Sequence, residues 1–190
     1  MTDQRAGSDL LLEFREAVAD AFLNFELWLA FEDPDLEKFR PAFRRYSGYF
    51  AVARHAHLFT AVVSLYRLFE TRPDTVNLDR LLESLEQERP GFRAGLPLDS
   101  TKVSRARAIW RKICVLRNEV FAHRNRELSV ADSFGKASLS KAEVLELIDL
   151  CKRMVESIQR IWDGTAPAWP LVHTQDLEEL LNMLMKHEPP

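Results

Sequence analysis

Apolar residues recur at intervals of three and four along almost the whole of this chain, while the alternation of a half-buried strand bounded by tight turns is absent. A chain patterned this way buries its apolar stripes by packing helix on helix, so the fold class is all-α, a bundle of five or six helices with two long antiparallel ones among shorter ones. Ser8 is placed to cap a first helix that runs to about Phe31, carrying Leu12, Ala19, Phe22, Leu23 and Leu27 among its apolar positions, and the EDPD turn at 32–35 ends it. A second long helix is expected over 41–71, with Pro41 in its first turn and Arg72-Pro73 as its stop. Asn77 caps a short helix, LDRLLESLEQE, and residues 90–97, with two Pro and two Gly, read as an exposed loop. Ser100 or Thr101 opens the next helix, TKVSRARAIWRKICVLRNEVFAHR, and residues 125–139 read as a loop. Ser140 with Glu143 forms a capping-box pattern for a further helix that Gly164 ends. A linker over 164–173 leads to a last helix over 174–187 that Thr174 caps. Loops this short favour one domain spanning 1–190, its core within 8–163.

Composition supports a packed core: hydrophobic residues are 46% and charged residues 29%, with six Gly and nine Pro in 190 residues. No apolar stretch approaches the roughly 20 residues needed to cross a bilayer, and the first residues lack a basic segment followed by an apolar one, so a cytoplasmic protein without membrane contact is expected. Two cysteines, Cys114 and Cys151, are too few for a disulfide framework or a thiolate zinc site. His55 and His57 stand about 200° apart around a regular helix and cannot share one ion. Glu32, Asp33, Asp35 and Glu37 surround a proline between helices, where such residues make turns and N-caps. Gly-rich phosphate loops, nucleophile elbows and H-E-x-x-H pairs are absent from the sequence. No metal and no cofactor are expected.

Charge is distributed unevenly. Residues 40–72 hold six Arg against Glu70, a balance of +5; residues 100–126 hold six Arg and two Lys against Glu119, a balance of +7; the whole chain is at −3, so the remainder sums to −15. Such segregation can create a basic face on an acidic protein, or leave arginines scattered over solvated helices. On the helix opened by Ser100, turning about 100° per residue, Val103, Ala106, Ile109, Trp110, Ile113, Cys114, Val120 and Phe121 fall in one arc, with Arg117 in its middle and His123 just past its edge, beside the line through Leu116. A guanidinium on a core face needs an anionic partner. Either Arg117 pairs with a carboxylate of another helix, Glu26 or Glu70 being placed for it, or the arc lines a cleft in which Arg117 and His123 face a phosphate.

Arg117, Asn118 and His123, in the string LRNEVFAHRN, resemble the signature of HEPN-domain proteins: an Arg, a polar residue, and a His four to six residues beyond the Arg. Together with SLYRLFE at the end of the earlier long helix and the capped helix after the loop, the string is similar to the abortive-infection, AbiU-like branch of that superfamily, over residues 10–162. The resemblance implies a helical, usually homodimeric ribonuclease that cleaves RNA without a metal, the ribose 2′-hydroxyl attacking to leave a 2′,3′-cyclic phosphate, in phage defence or as the toxin of a toxin–antitoxin pair whose antitoxin protein would be a second partner.

Chemistry asks for the same residue types. An imidazole near neutral pKa can move protons, a planar guanidinium can hold two phosphate oxygens, and Asn118 can orient either. Arg117 and His123, six apart, are separated by about 120° and about 9 Å on a regular helix, so two copies about a two-fold axis would pool their groups into one cleft. Arg124 and Arg126 are placed to hold flanking phosphates of the RNA. Arg54 and His55 approach the same cleft if the long helices pack side by side. The alternative is a non-catalytic module that binds nucleotide, RNA or a protein partner with the same surface.

Overall fold

The computed structural model describes residues 6–72, 74–122, 130–171 and 174–186, the side chains of 119–122 and 174 excepted. The fold is all-α. Among the described residues there are nine α-helices: α1 (Gly7–Ala30), α2 (Arg40–Arg45), α3 (Ser47–Arg67), α4 (Leu78–Glu88), α5 (Phe92–Gly95), α6 (Ser100–Ala122), α7 (Val130–Lys136), α8 (Lys141–Asp163) and α9 (Thr174–Lys186), with a 3-10 turn (Pro34–Phe39) before α2. Four of them are long rather than the expected two: α1, α3, α6 and α8 have 24, 21, 23 and 23 residues.

The main core joins α1, α3, α4, α6, α7 and α8. α1 sits centrally because its buried positions, Leu10, Leu11, Phe14, Ala17, Val18, Ala21, Phe25 and Trp28, form a continuous stripe at helical spacing, and it packs on α3, α4 and α8. α6 packs on α3, α7 and α8. A second, smaller cluster of Phe39, Ala42, Phe50 and Leu181 ties α9 to the 3-10 turn and α2.

Several local signals act as read. Asn77 Oδ1 accepts from the Arg80 amide at 3.0 Å and starts α4. Ser140 and Glu143 form the reciprocal capping box of α8, and Gly164, at φ 80°, closes it in a conformation that other residues adopt only with strain.

Five expectations are corrected. Ser8 is not the cap of α1; the helix begins at Gly7, whose amide donates to the carboxylate of Glu88 at the end of α4. A Cβ at Gly7 would meet Leu85 Cδ2 at 2.7 Å, so a larger residue there displaces the end of that buried side chain. The single helix expected over 41–71 is broken at Tyr46 (φ −110°, ψ 33°) and α3 stops at Arg67, because Leu68 and Phe69 turn inward and are buried. The exposed loop over 90–97 contains α5, with Phe92 buried edge-on against Trp162 at 5.7 Å. The loop over 125–139 contains α7, whose Phe134 stacks on Trp28 at 5.6 Å. Among the described side chains of α6 the buried line is Ala106, Ile109, Ile113 and Leu116, whereas Val103, Trp110, Cys114 and Arg117 are half-buried beside it, and Val120 and Phe121 lie outside the described side chains. The core face is centred where α6 meets α3 and α8 together, so Leu116 replaces Arg117 at its middle.

Candidate functional site at the end of α6

The seam between α6 and α3 is defined by aromatic contacts. Trp110 Nε1 donates to the Tyr66 carbonyl at 2.9 Å, and Arg107 lies over the Phe69 ring at 5.6 Å, so the two helices run antiparallel. Arg117 uses the same seam. Its guanidinium lies over the Tyr66 ring at 4.1 Å from the centroid, a cation–π seat, and the Tyr66 hydroxyl donates to Glu70 Oε1 at 3.1 Å. Burial first, then the bond to Glu70, holds the Tyr66 hydroxyl above its usual range. The neighbouring Cys114 thiol is pushed up by burial while Arg117 pulls it down. Glu70, one of the two expected partners of Arg117, thus belongs to this cluster through Tyr66. The guanidinium itself is half-buried at the border between buried Leu116 and exposed Asn118.

His123, Arg124 and Arg126 lie outside the described residues; α6 is described as far as Ala122. From Trp110 to Ala122 the helix advances about 18 Å, and the same length back along α3 from Tyr66 reaches Arg54. Arg54 and His55, both exposed, stand about that far along α3, roughly 120° around the helix from Tyr66 in the case of Arg54.

Other singled-out residues take different places. His55 pairs with the Phe59 ring at 6.1 Å, while His57 Nδ1 meets Asn24 Oδ1 at 2.9 Å and stacks on Phe31, with burial lowering its pKa. Asp33 accepts from the Asp35 amide at 2.9 Å and caps the 3-10 turn, and Glu37 pairs with Arg40. Glu32 does more than turn the chain: it is gripped by Arg54 and by Lys141 Nζ at 3.3 Å. Among the described residues no group of three His, Cys, Asp or Glu could hold a metal ion, and no helix is long and apolar enough to cross a membrane. Tyr66, Lys141 and Trp28 were not singled out by type or spacing, although Tyr66 stands inside the SLYRLFE string.

Comparison with known proteins adds one finding. No curated protein and no solved structure matches the chain. The family model of AbiU2, a HEPN family, matches residues 8–183, from the first turn of α1 into α9 and so beyond the 10–162 over which the likeness was read. The chain belongs to the AbiU2 family of HEPN proteins.

Proposed function

We propose that this protein is a metal-independent endoribonuclease acting in abortive infection, working as a homodimer whose two motifs meet in one cleft. The observation that carries the reading is the seat of Arg117: a guanidinium held on Tyr66 at the edge of the core, next to exposed Asn118, in a chain of a HEPN family. A dimer is supported by an uncovered apolar stripe on α3. Tyr49, Val52 and Phe59, at helical spacing, are 67%, 70% and 39% exposed, and Val115 of α6 is 43% exposed.

In the reaction, His123 takes the proton of the ribose 2′-hydroxyl, and O2′ forms a bond to the adjacent phosphorus as the bond from phosphorus to O5′ breaks. A proton returned to O5′ releases a 5′-hydroxyl strand and leaves a 2′,3′-cyclic phosphate on the other. Arg117 donates to the non-bridging oxygens as charge gathers on the phosphorane, and Asn118 orients the phosphate or the imidazole. Arg124 and Arg126 hold flanking phosphates, making binding salt-dependent. The 2′-hydroxyl requirement selects RNA over DNA.

The test is cleavage of end-labelled single-stranded RNA in excess EDTA, with the cyclic phosphate sought on the product. His123→Ala and Arg117→Ala each lower the rate by at least about 100-fold without unfolding the protein. Full activity in either variant removes the catalytic assignment, RNA retarded in a gel but never shortened favours a binding module, and a monomer at every working concentration removes the shared cleft.

A further inference from the structure

A cavity of about 700 Å³ opens where the N-terminal half of α3, the end of α1, α7 and the start of α8 come together. Its volume lies in the range of ligand sites. Its lining is apolar at Leu58, Phe134 and Leu139 and charged at Glu32, Arg54 and Lys141, with Lys141 Nζ over the Trp28 ring at 4.9 Å. Glu32 lies between the two cations, so the group has two positive charges against one negative. Lys141 is also the first residue of α8, whose N-terminal end adds positive potential. His55 offers an exposed imidazole face at the rim. Trp28 lines the same cavity, and its indole N–H is buried without an acceptor among the described residues, whereas buried indole donors ordinarily have one. A second cavity of about 360 Å³ shares Ala51 and Arg54, so Arg54 stands at the divide between two adjoining depressions.

Its position connects it to the proposed active site. α7, whose Val130, Ala131 and Phe134 line the cavity, packs on α6, and Val130 follows the motif in sequence, seven residues after His123.

We propose that this cavity is a subsite for one unpaired nucleotide of the RNA strand beside the scissile bond, with Arg54 and Lys141 on its phosphate and the base against the apolar lining, an inference that rests on the ribonuclease reading. Unpaired bases are what such pockets of aromatic and apolar side chains accept, and the paired depressions at Arg54 suit successive nucleotides of one strand. Glu32 holds the two cations in place and weakens their pull on a phosphate.

The experiment uses the full chain and a fluorescent 2′-O-methyl RNA tetranucleotide, which lacks the attacking hydroxyl and so reports binding without cleavage. Arg54→Gln and Lys141→Met each weaken its binding at least fivefold, and Glu32→Gln tightens it. With cleavable RNA, Arg54→Gln raises KM more than it lowers kcat, a split that mere loss of folding would not give. Binding by both charge variants within twofold of the parent overturns the subsite, and so does displacement of the tetranucleotide by inorganic phosphate as effective as an unlabelled competitor, which shows an anion site only. A parent protein that binds the tetranucleotide here yet cuts no RNA defeats the ribonuclease reading and leaves the pocket; one that cuts RNA with Arg54→Gln indifferent does the reverse.

Discussion

The two halves of α6 carry the same kind of residue to different ends. In the first half, cations reach across to acids on neighbouring helices: Arg105 Nε and Nη2 hold Glu146 at 2.8 and 2.6 Å, Arg107 holds Asp79 at 2.7 Å, and Lys112 holds Glu143 at 2.6 Å. In the second half, Arg117 settles on the Tyr66 ring. The basic runs at 40–72 and 100–126 do come side by side, since α3 packs on α6, yet much of their charge is matched by acids from elsewhere in the chain. A run of like charge in a sequence is thus a poor guide to surface potential. Position in the fold, on the seam with α3 beside the Tyr66 ring, is what sets Arg117 apart from the cations of the first half.

The sharpest contrast lies between two adjacent residues. Leu116 is fully buried and Arg117 is not. Leu116→Ala leaves a cavity between α6 and its neighbours and costs about 2–5 kcal/mol of stability, read as a lower midpoint in urea. Arg117→Ala loses only its seat on Tyr66, about 1 kcal/mol of stability, and costs on the order of 10²–10³ in kcat. Arg105→Ala, at 45% side-chain exposure, changes kcat by less than about twofold and stability by no more than about 1 kcal/mol. Equal losses of activity from Arg105→Ala and Arg117→Ala would erase the distinction between the halves.

Tyr66 tests how the seat works. Tyr66→Phe keeps the ring under Arg117 and removes only the hydroxyl bonded to Glu70, so kcat stays close to the parent value while stability falls by about 1 kcal/mol. Tyr66→Leu removes the ring as well and lowers kcat about tenfold, equivalent to 1.4 kcal/mol of barrier. A kcat loss in Tyr66→Phe as large as in Tyr66→Leu would move the role from the ring to the hydroxyl.

How much of this was legible follows from the range of each signal. The cap at Asn77, the box at Ser140 and Glu143, the stop at Gly164 and the string around Arg117 are written within a few residues, and a sequence displays them directly. Glu88 reaching the start of α1, 81 residues away, and Lys141 reaching Glu32, 109 away, depend on the packing of helices and leave no local trace. The same holds for the inward turn of Leu68 and Phe69, which shortens α3, and for α7, where Phe134 is drawn to Trp28. The core face of α6 escapes the sequence for a related reason: a helical projection weights every apolar residue alike, but two neighbouring helices decide which line is covered.

The smallest effect belongs to the paired half, at Glu143. Its carboxyl is held below the ordinary value of 4.5, first by the hydrogen bond from Lys112 and then by the Ser140 backbone amide. A carboxyl whose folded pKa is lowered contributes stability that is present above the unfolded pKa and is lost as pH falls through the folded one, because the unfolded chain takes up the proton first. The loss therefore begins near pH 4.5 and grows on acidification. Glu143→Gln removes this titration while keeping an oxygen to accept from the backbone amide, so the variant is slightly less stable at neutral pH and its stability falls less steeply below pH 4.5. Urea midpoints of parent and variant, measured from pH 7 to pH 3, should converge on acidification. Parallel curves over that range would mean that the Lys112 pair adds nothing to folding, and that this stretch of α6 is held by its other contacts, the buried Ala106, Ile109 and Ile113 foremost.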